Sequence, residues 1–135
     1  MTNVQFYILA SANQDDRWAY ARRLVVQTLM RGKTVHVHTS CAADTRHLIH
    51  YLLDADTTGG ERITIDHKGE PDHDPQVLLN LSMEVPHFFS SFETTLEVVH
   101  SENTTRNMGR ERFRYYQERG YPLRHYDIQP ELALA

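Results

Sequence analysis

Two hydrophobic patterns alternate along this chain. Short runs rich in β-formers, bounded by polar or turn residues, read as strands. They are residues 4–10 (VQFYILA), 34–39 (TVHVHT), 77–81 (VLLNL) and 95–100 (TLEVVH). Longer stretches with apolar positions three and four apart read as amphipathic helices. Residues 17–31 put Trp18, Ala21, Leu24, Val25, Thr28 and Leu29 on one stripe and leave Arg22 and Arg23 outside. Asp15 or Asp16 supplies the cap of that helix and Gly32 stops it. Residues 42–53 form a second helix, with Ala43, His47, His50 and Tyr51 near its apolar stripe. A third spans residues 104–119; Gly120 ends it and Pro122 prevents a restart. Residues 54–75 hold Gly59-Gly60, Pro71, Pro75 and many charges, and are predicted as loop apart from a short strand at 63–66. Residues 86–92 (PHFFSSF) suggest a turn or a single helical turn under aromatic packing.

The resulting order, β-α-β-α-(β)-β-β-α, predicts a mostly parallel sheet flanked by helices with right-handed crossovers. The first strand–helix turn, Ala10-Ser11-Ala12-Asn13, lacks the glycine pattern of dinucleotide sites, so the expected α/β fold is Rossmann-like without a nucleotide-binding loop. A chain of 135 residues fits one domain, residues 1–135, with 129–135 as a frayed tail.

Charge narrows the classes of function. The formal net charge of −4 argues against a general duplex binder. The arginines are nevertheless clustered: six of the twelve fall between Arg106 and Arg124. A local basic patch on an acidic body points to a specific partner. Cys41 is the single cysteine, which forbids an intrachain disulfide and fits a reducing, cytoplasmic setting. No signal-peptide pattern opens the chain, and no apolar run approaches the roughly 18 residues of a membrane span.

The catalytic motifs are weak. Arg31-Gly32-Lys33-Thr34 imitates the end of a phosphate loop, but Gln27 stands where the first glycine is needed and the strand and helix are in reversed order. Lys33 therefore reads as a solvated turn residue. His36 with His38, His47 with His50, and His67 with Asp72, His73 and Asp74 form pairs or clusters, yet none carries the spacing of a zinc site. Ser90 and Ser91 lack a nucleophile elbow. Cys41 reads as a small buried residue at a strand end rather than a nucleophile.

The third helix carries the strongest signal. Helical spacing puts Arg106, Arg110, Phe113 and Arg114 on one face, while Glu111 and Glu118 lie off that stripe. Unpaired like charges one turn apart oppose helix formation by a few tenths of a kcal/mol each. Such a face suits a ligand that is acidic and also carries an apolar anchor, such as an acidic peptide tail.

At these residues the chain resembles the chi subunit of bacterial DNA polymerase III holoenzyme, over about residues 4–127. The resemblance is carried by Phe6-Tyr7, Gly32-Lys33, Val77-Leu78-Leu79-Asn80-Leu81, Phe88 to Phe92, Glu97-Val98-Val99 and Arg110-Glu111-Arg112-Phe113-Arg114-x-Tyr116 before Gly120. It implies a Rossmann-like clamp-loader accessory protein with no cofactor and no chemistry of its own, within a DNA-directed DNA polymerase complex. It also implies a site for the acidic C-terminal tail of single-stranded DNA-binding protein, which ends in Pro-Phe. Arg106, Arg110, Phe113 and Arg114 match the family positions for that contact, with Phe113 and Arg114 as conservative departures from Tyr and Lys. Single-stranded DNA would be met only indirectly. The second implied partner is the psi subunit. There the chain departs from relatives that carry a tryptophan near the end of the second helix and a Phe-x-Pro-His run after it; Leu53 and Ile65 offer a smaller apolar patch. The rival from another class is a small α/β metal- or nucleotide-dependent enzyme.

Overall fold

A computed structural model describes residues 1–52, 62–71 and 75–129. Leu53, the Asp72–Asp74 part of the loop cluster and the tail from residue 130 lie outside the described residues.

The elements run β1 (Asn3–Leu9), α1 (Gln14–Met30), β2 (Val35–His38), α2 (Ala42–Tyr51), β3 (Ile63–Asp66), β4 (Val77–Asn80), one 3-10 turn (Phe89–Ser91), β5 (Thr94–Val99), α3 (Asn103–Glu118) and β6 (Leu123–Ile128). All strand pairs are parallel, in the order β3-β2-β4-β5-β1-β6. This is the α/β architecture that the alternation of strands and helices predicts.

Side-chain alternation divides the sheet into two unlike faces. Leu9, Val35, Val37, Val77, Leu79, Leu96 and Val98 meet Trp18, Ala21, Leu24, Val25 and Leu29 of α1 and Leu48 of α2 in an aliphatic core. The opposite face has α3 and the aromatic turn as its cover. Val4, Phe6, Leu78, Phe88, Phe89, Phe92, Val99 and Tyr116 form its core. Ring contacts such as Phe89–Tyr116 at 5.1 Å and Phe89–Tyr121 at 4.9 Å are edge-on, the arrangement that ring quadrupoles favour.

Four details depart from the sequence reading. Helix α1 starts a turn earlier, because the Asn13 side chain accepts from the Asp15 N–H at 2.7 Å; Asp15 and Asp16 then occupy the first turn, where the helix dipole favours them. Helix α2 buries Thr45 and Leu48, with Leu52 just beyond it, whereas Ala43, His47 and His50 are exposed. Its inward stripe is thus offset from the one expected. Cys41 is exposed at the N-cap of α2, not buried. The largest departure is β6, a strand that the hydrophobic pattern does not announce. It reads Leu-Arg-His-Tyr-Asp-Ile and is mostly exposed, as an edge strand can be. Gly120, at φ +75°, turns the chain out of α3 and Pro122 starts the strand, with its carbonyl accepting from the Val4 N–H at 2.9 Å.

Candidate functional site

Helix α3 presents two sides. Its start is fixed by Glu102, whose carboxylate accepts from the Thr104 and Thr105 N–H groups at 3.1 and 3.0 Å and from the Thr105 hydroxyl at 2.6 Å. The Thr105 hydroxyl, with the two backbone donors, holds that carboxyl down at about 2. Further along, Gly109 lies against β5: a Cβ there would sit 2.9 Å from both methyl carbons of Val99. The absence of a side chain lets the helix settle onto the sheet.

The inner side carries a buried polar network. Arg112 is 3% exposed, and its Nε donates to Oε1 of the fully buried Glu97 at 3.0 Å. Arg112 Nη1 donates to the Met83 carbonyl at 2.9 Å. The other carboxylate oxygen of Glu97 accepts from the Tyr116 hydroxyl at 2.7 Å and from Asn80 Nδ2 at 2.9 Å. Burial, reinforced by Glu97, pushes the Tyr116 hydroxyl well above its ordinary range, so it stays a donor. Arg17 is buried nearby and donates to the carbonyls of Val98 and Leu81 at 3.0 and 3.1 Å. Burial, with the neighbouring Arg112 charge, lowers it to about 10. Breaking a buried pair of this kind typically costs about 3–5 kcal/mol, because one charge is left uncompensated. The network is structural. One signal announces it in the sequence: Glu97 is a lone charge inside a strand that is otherwise apolar or hydroxylic, and such a charge needs a partner.

The outer side borders a groove of about 380 Å³ between α3 and the β1–β6 edge. Phe6, Ile8 and Val99 form its apolar floor, Arg106, Gly109, Arg110 and Phe113 its helical wall, and His125 and Asp127 of β6 the opposite wall. Phe113 is half-buried, edge-on to Phe6 at 5.2 Å and to His125 at 6.1 Å. Arg106 and Arg110 are exposed. Arg106 reaches the Asn103 side chain at 3.4 Å. Among the described residues neither arginine forms an ion pair.

The structure therefore brings Arg106, Arg110 and Phe113 together around one cavity. Arg114 is exposed and does not line it. Ile65 is far off in sequence order and in the sheet, half-buried on β3 and packed against the aliphatic core. His125 and Asp127 escape the sequence reading because they sit on β6. Their signal is faint: after Pro122, Leu123, His125 and Asp127 alternate with Arg124, Tyr126 and Ile128, and the β1 register sends the first set to the α3 face.

The histidines are dispersed in role. His36 bonds Thr64 at 2.7 Å, and His47 stacks on Tyr51. Among the described residues no three His, Cys, Asp or Glu side chains are grouped to hold a metal ion. No helix among them is long and apolar enough to cross a membrane.

Comparison with known proteins adds the family context. A sequence model of the DNA polymerase III chi subunit matches residues 1–124. The DNA polymerase III subunit chi of Pseudomonas aeruginosa is 30% identical over 142 aligned positions, which cover 95% of this chain and 98% of that protein.

Proposed function

The chain belongs to the DNA polymerase III chi-subunit family, and on that premise we propose that this replication accessory subunit docks the acidic C-terminal tail of single-stranded DNA-binding protein in the α3 groove. The observation that carries the reading is the pairing of an apolar floor with two exposed guanidiniums that have no acidic partner among the described residues. A tail ending in an aromatic residue after aspartates is complementary to both. The terminal ring packs on Phe6, Ile8 and Phe113, where edge-on aromatic contacts are already established. The tail carboxylates meet Arg106 and Arg110 through charge-assisted hydrogen bonds. Asp127 sets the polarity: a peptide carboxylate is repelled from the β6 wall and drawn to the helical one. Arg114, beyond the groove, contributes by steering the tail at longer range.

A short peptide buries little area, so the affinity should be about micromolar and salt-sensitive. Contacts of that strength form and break readily, as a coupling between polymerase and displaced binding protein requires. The role is non-catalytic: the protein links the clamp loader to the binding protein. A psi-type partner on the clamp-loader side would meet the β3 edge, where Ile65 is half-buried.

The test is a fluorescence anisotropy titration with a labelled tail peptide. Arg110→Glu should weaken binding more than tenfold with no change in thermal stability. An unchanged dissociation constant would discard the assignment.

A further inference from the structure

The β1–β6 edge has a second face, turned away from the groove, and its chemistry is different. Tyr7 and Tyr126 are paired in register on β1 and β6, with centroids 5.3 Å apart and rings 23° from parallel. Tyr20 of α1 abuts Tyr7 at 5.6 Å. The three rings form a row that runs from the helix out to the sheet edge, and the outermost, Tyr126, is 39% exposed.

Cations surround the row. Arg23 lies over the Tyr20 ring, 5.8 Å from its centroid. Arg31, at the end of α1, acts electrostatically on Tyr7. Arg124 precedes Tyr126 by two residues and so shares its face of β6. Arg31 and Arg124 are both exposed, and among the described residues neither forms an ion pair. Burial, with the neighbouring Tyr20 and Tyr126, pushes the Tyr7 hydroxyl up to about 12, so the Tyr7 ring stays neutral.

An exposed aromatic ring beside the exposed guanidiniums of Arg31 and Arg124 fits one ligand class well. Every nucleobase has a π-face that stacks on a tyrosine whatever its sequence, and guanidiniums bind backbone phosphates. Duplex DNA fits poorly, because its bases are already stacked and two arginines on a chain of net charge −4 neutralise few phosphates. We propose that the Tyr126–Tyr7–Tyr20 row is a stacking platform for single-stranded DNA, with a base on Tyr126 and phosphates on Arg31 and Arg124. The contact is weak and sequence-tolerant. It lies on the other side of the sheet from the groove, so one molecule can hold a peptide tail and a strand at once. It stands independently of the tail-binding reading, and it adds a direct contact where the family resemblance implies an indirect one.

Anisotropy of a labelled oligothymidylate of about 12 nucleotides, titrated with the full chain at low salt, decides the matter. Saturable binding is expected. Tyr126→Ala should weaken it about tenfold, and Tyr126→Phe should retain it. Arg124→Glu should weaken it severalfold and flatten the dependence of affinity on salt. Binding should quench tyrosine fluorescence, a readout that needs no variant to fold. Arg110→Glu should leave oligonucleotide affinity unchanged, and Tyr126→Ala should leave tail-peptide affinity unchanged. The proposal is overturned by any of four results: no saturable binding, wild-type affinity in Tyr126→Ala, equal affinity for duplex of the same length, or a loss confined to Arg110→Glu.

Discussion

Arg110 and Arg112 stand two residues apart on α3 and meet opposite surroundings. Arg112 points into the sheet, where Glu97 and the Met83 carbonyl take up its Nε and Nη1 donors. Arg110 points to solvent beside an apolar groove. What faces each side chain decides its role. A guanidinium matched by a buried carboxylate holds the helix in place; one left without an acid at the rim of a cavity is available to an acid from elsewhere. Counting arginines cannot separate the two. Helical phase can, once the sheet that the helix packs on is known.

The comparison breaks first if Arg112 is dispensable. Arg112→Met strands the Glu97 carboxylate and should destabilise the fold by about 3–5 kcal/mol in urea unfolding. Replacing Glu97 at the same time with an apolar residue of similar size should recover much of that loss. If Arg112→Met costs only the ~0.5 kcal/mol of an ordinary surface change, the two arginines are alike and the contrast is void.

A smaller effect tests the seat of the helix itself. Gly109→Ala drives a methyl against Val99, which opposes the propensity gain of about 1 kcal/mol. The net loss should be about 1–2 kcal/mol, with tail binding weakened as well because Val99 floors the groove. Thermal denaturation of a variant as stable as the wild type would mean that α3 can shift freely on β5.

Arg110→Glu should change stability by no more than about 0.5 kcal/mol while tail affinity falls, the reverse of the Arg112 pattern. The smallest effect concerns pH. The Glu102 carboxyl is held at about 2 against 4.5 in a free chain, so its stabilisation is complete above 4.5 and is lost as pH falls from there towards 2. Glu102→Gln should therefore lose less stability than the wild type over that window. Identical acid profiles from circular dichroism would show that the Thr105 contact does not govern the helix start.

Much of this arrangement is legible in the residues. Strands β4 and β5 are buried on both faces, β1 is at least half-buried from Val4 on, and α1 shows its stripe because one side is covered. The offset in α2 has a physical cause: exposed His47 stacks on Tyr51 and lies tilted against Trp18, so a ring contact outside the core mimics an apolar stripe. Strand β6 is illegible because its pairing energy is in the backbone and its side chains are mostly in water. The groove inherits that gap. Its helical wall follows from spacing along α3, while His125 and Asp127 come from the strand that the pattern conceals. Arg114 does not line the cavity although Phe113, one residue earlier, does: at 3.6 residues per turn it lies about 80° round the helix from Arg106, a drift that the i, i+4, i+8 spacing conceals.

The central claim is that the outer side of α3 receives a foreign carboxylate at Arg110. A double-mutant cycle tests it most directly, pairing Arg110→Ala with removal of each acidic side chain from a tail peptide and measuring the four affinities by anisotropy. The account predicts a coupling energy above about 1 kcal/mol for at least one aspartate or the terminal carboxylate. Coupling within ~0.3 kcal/mol of zero for every acid of the tail would contradict it.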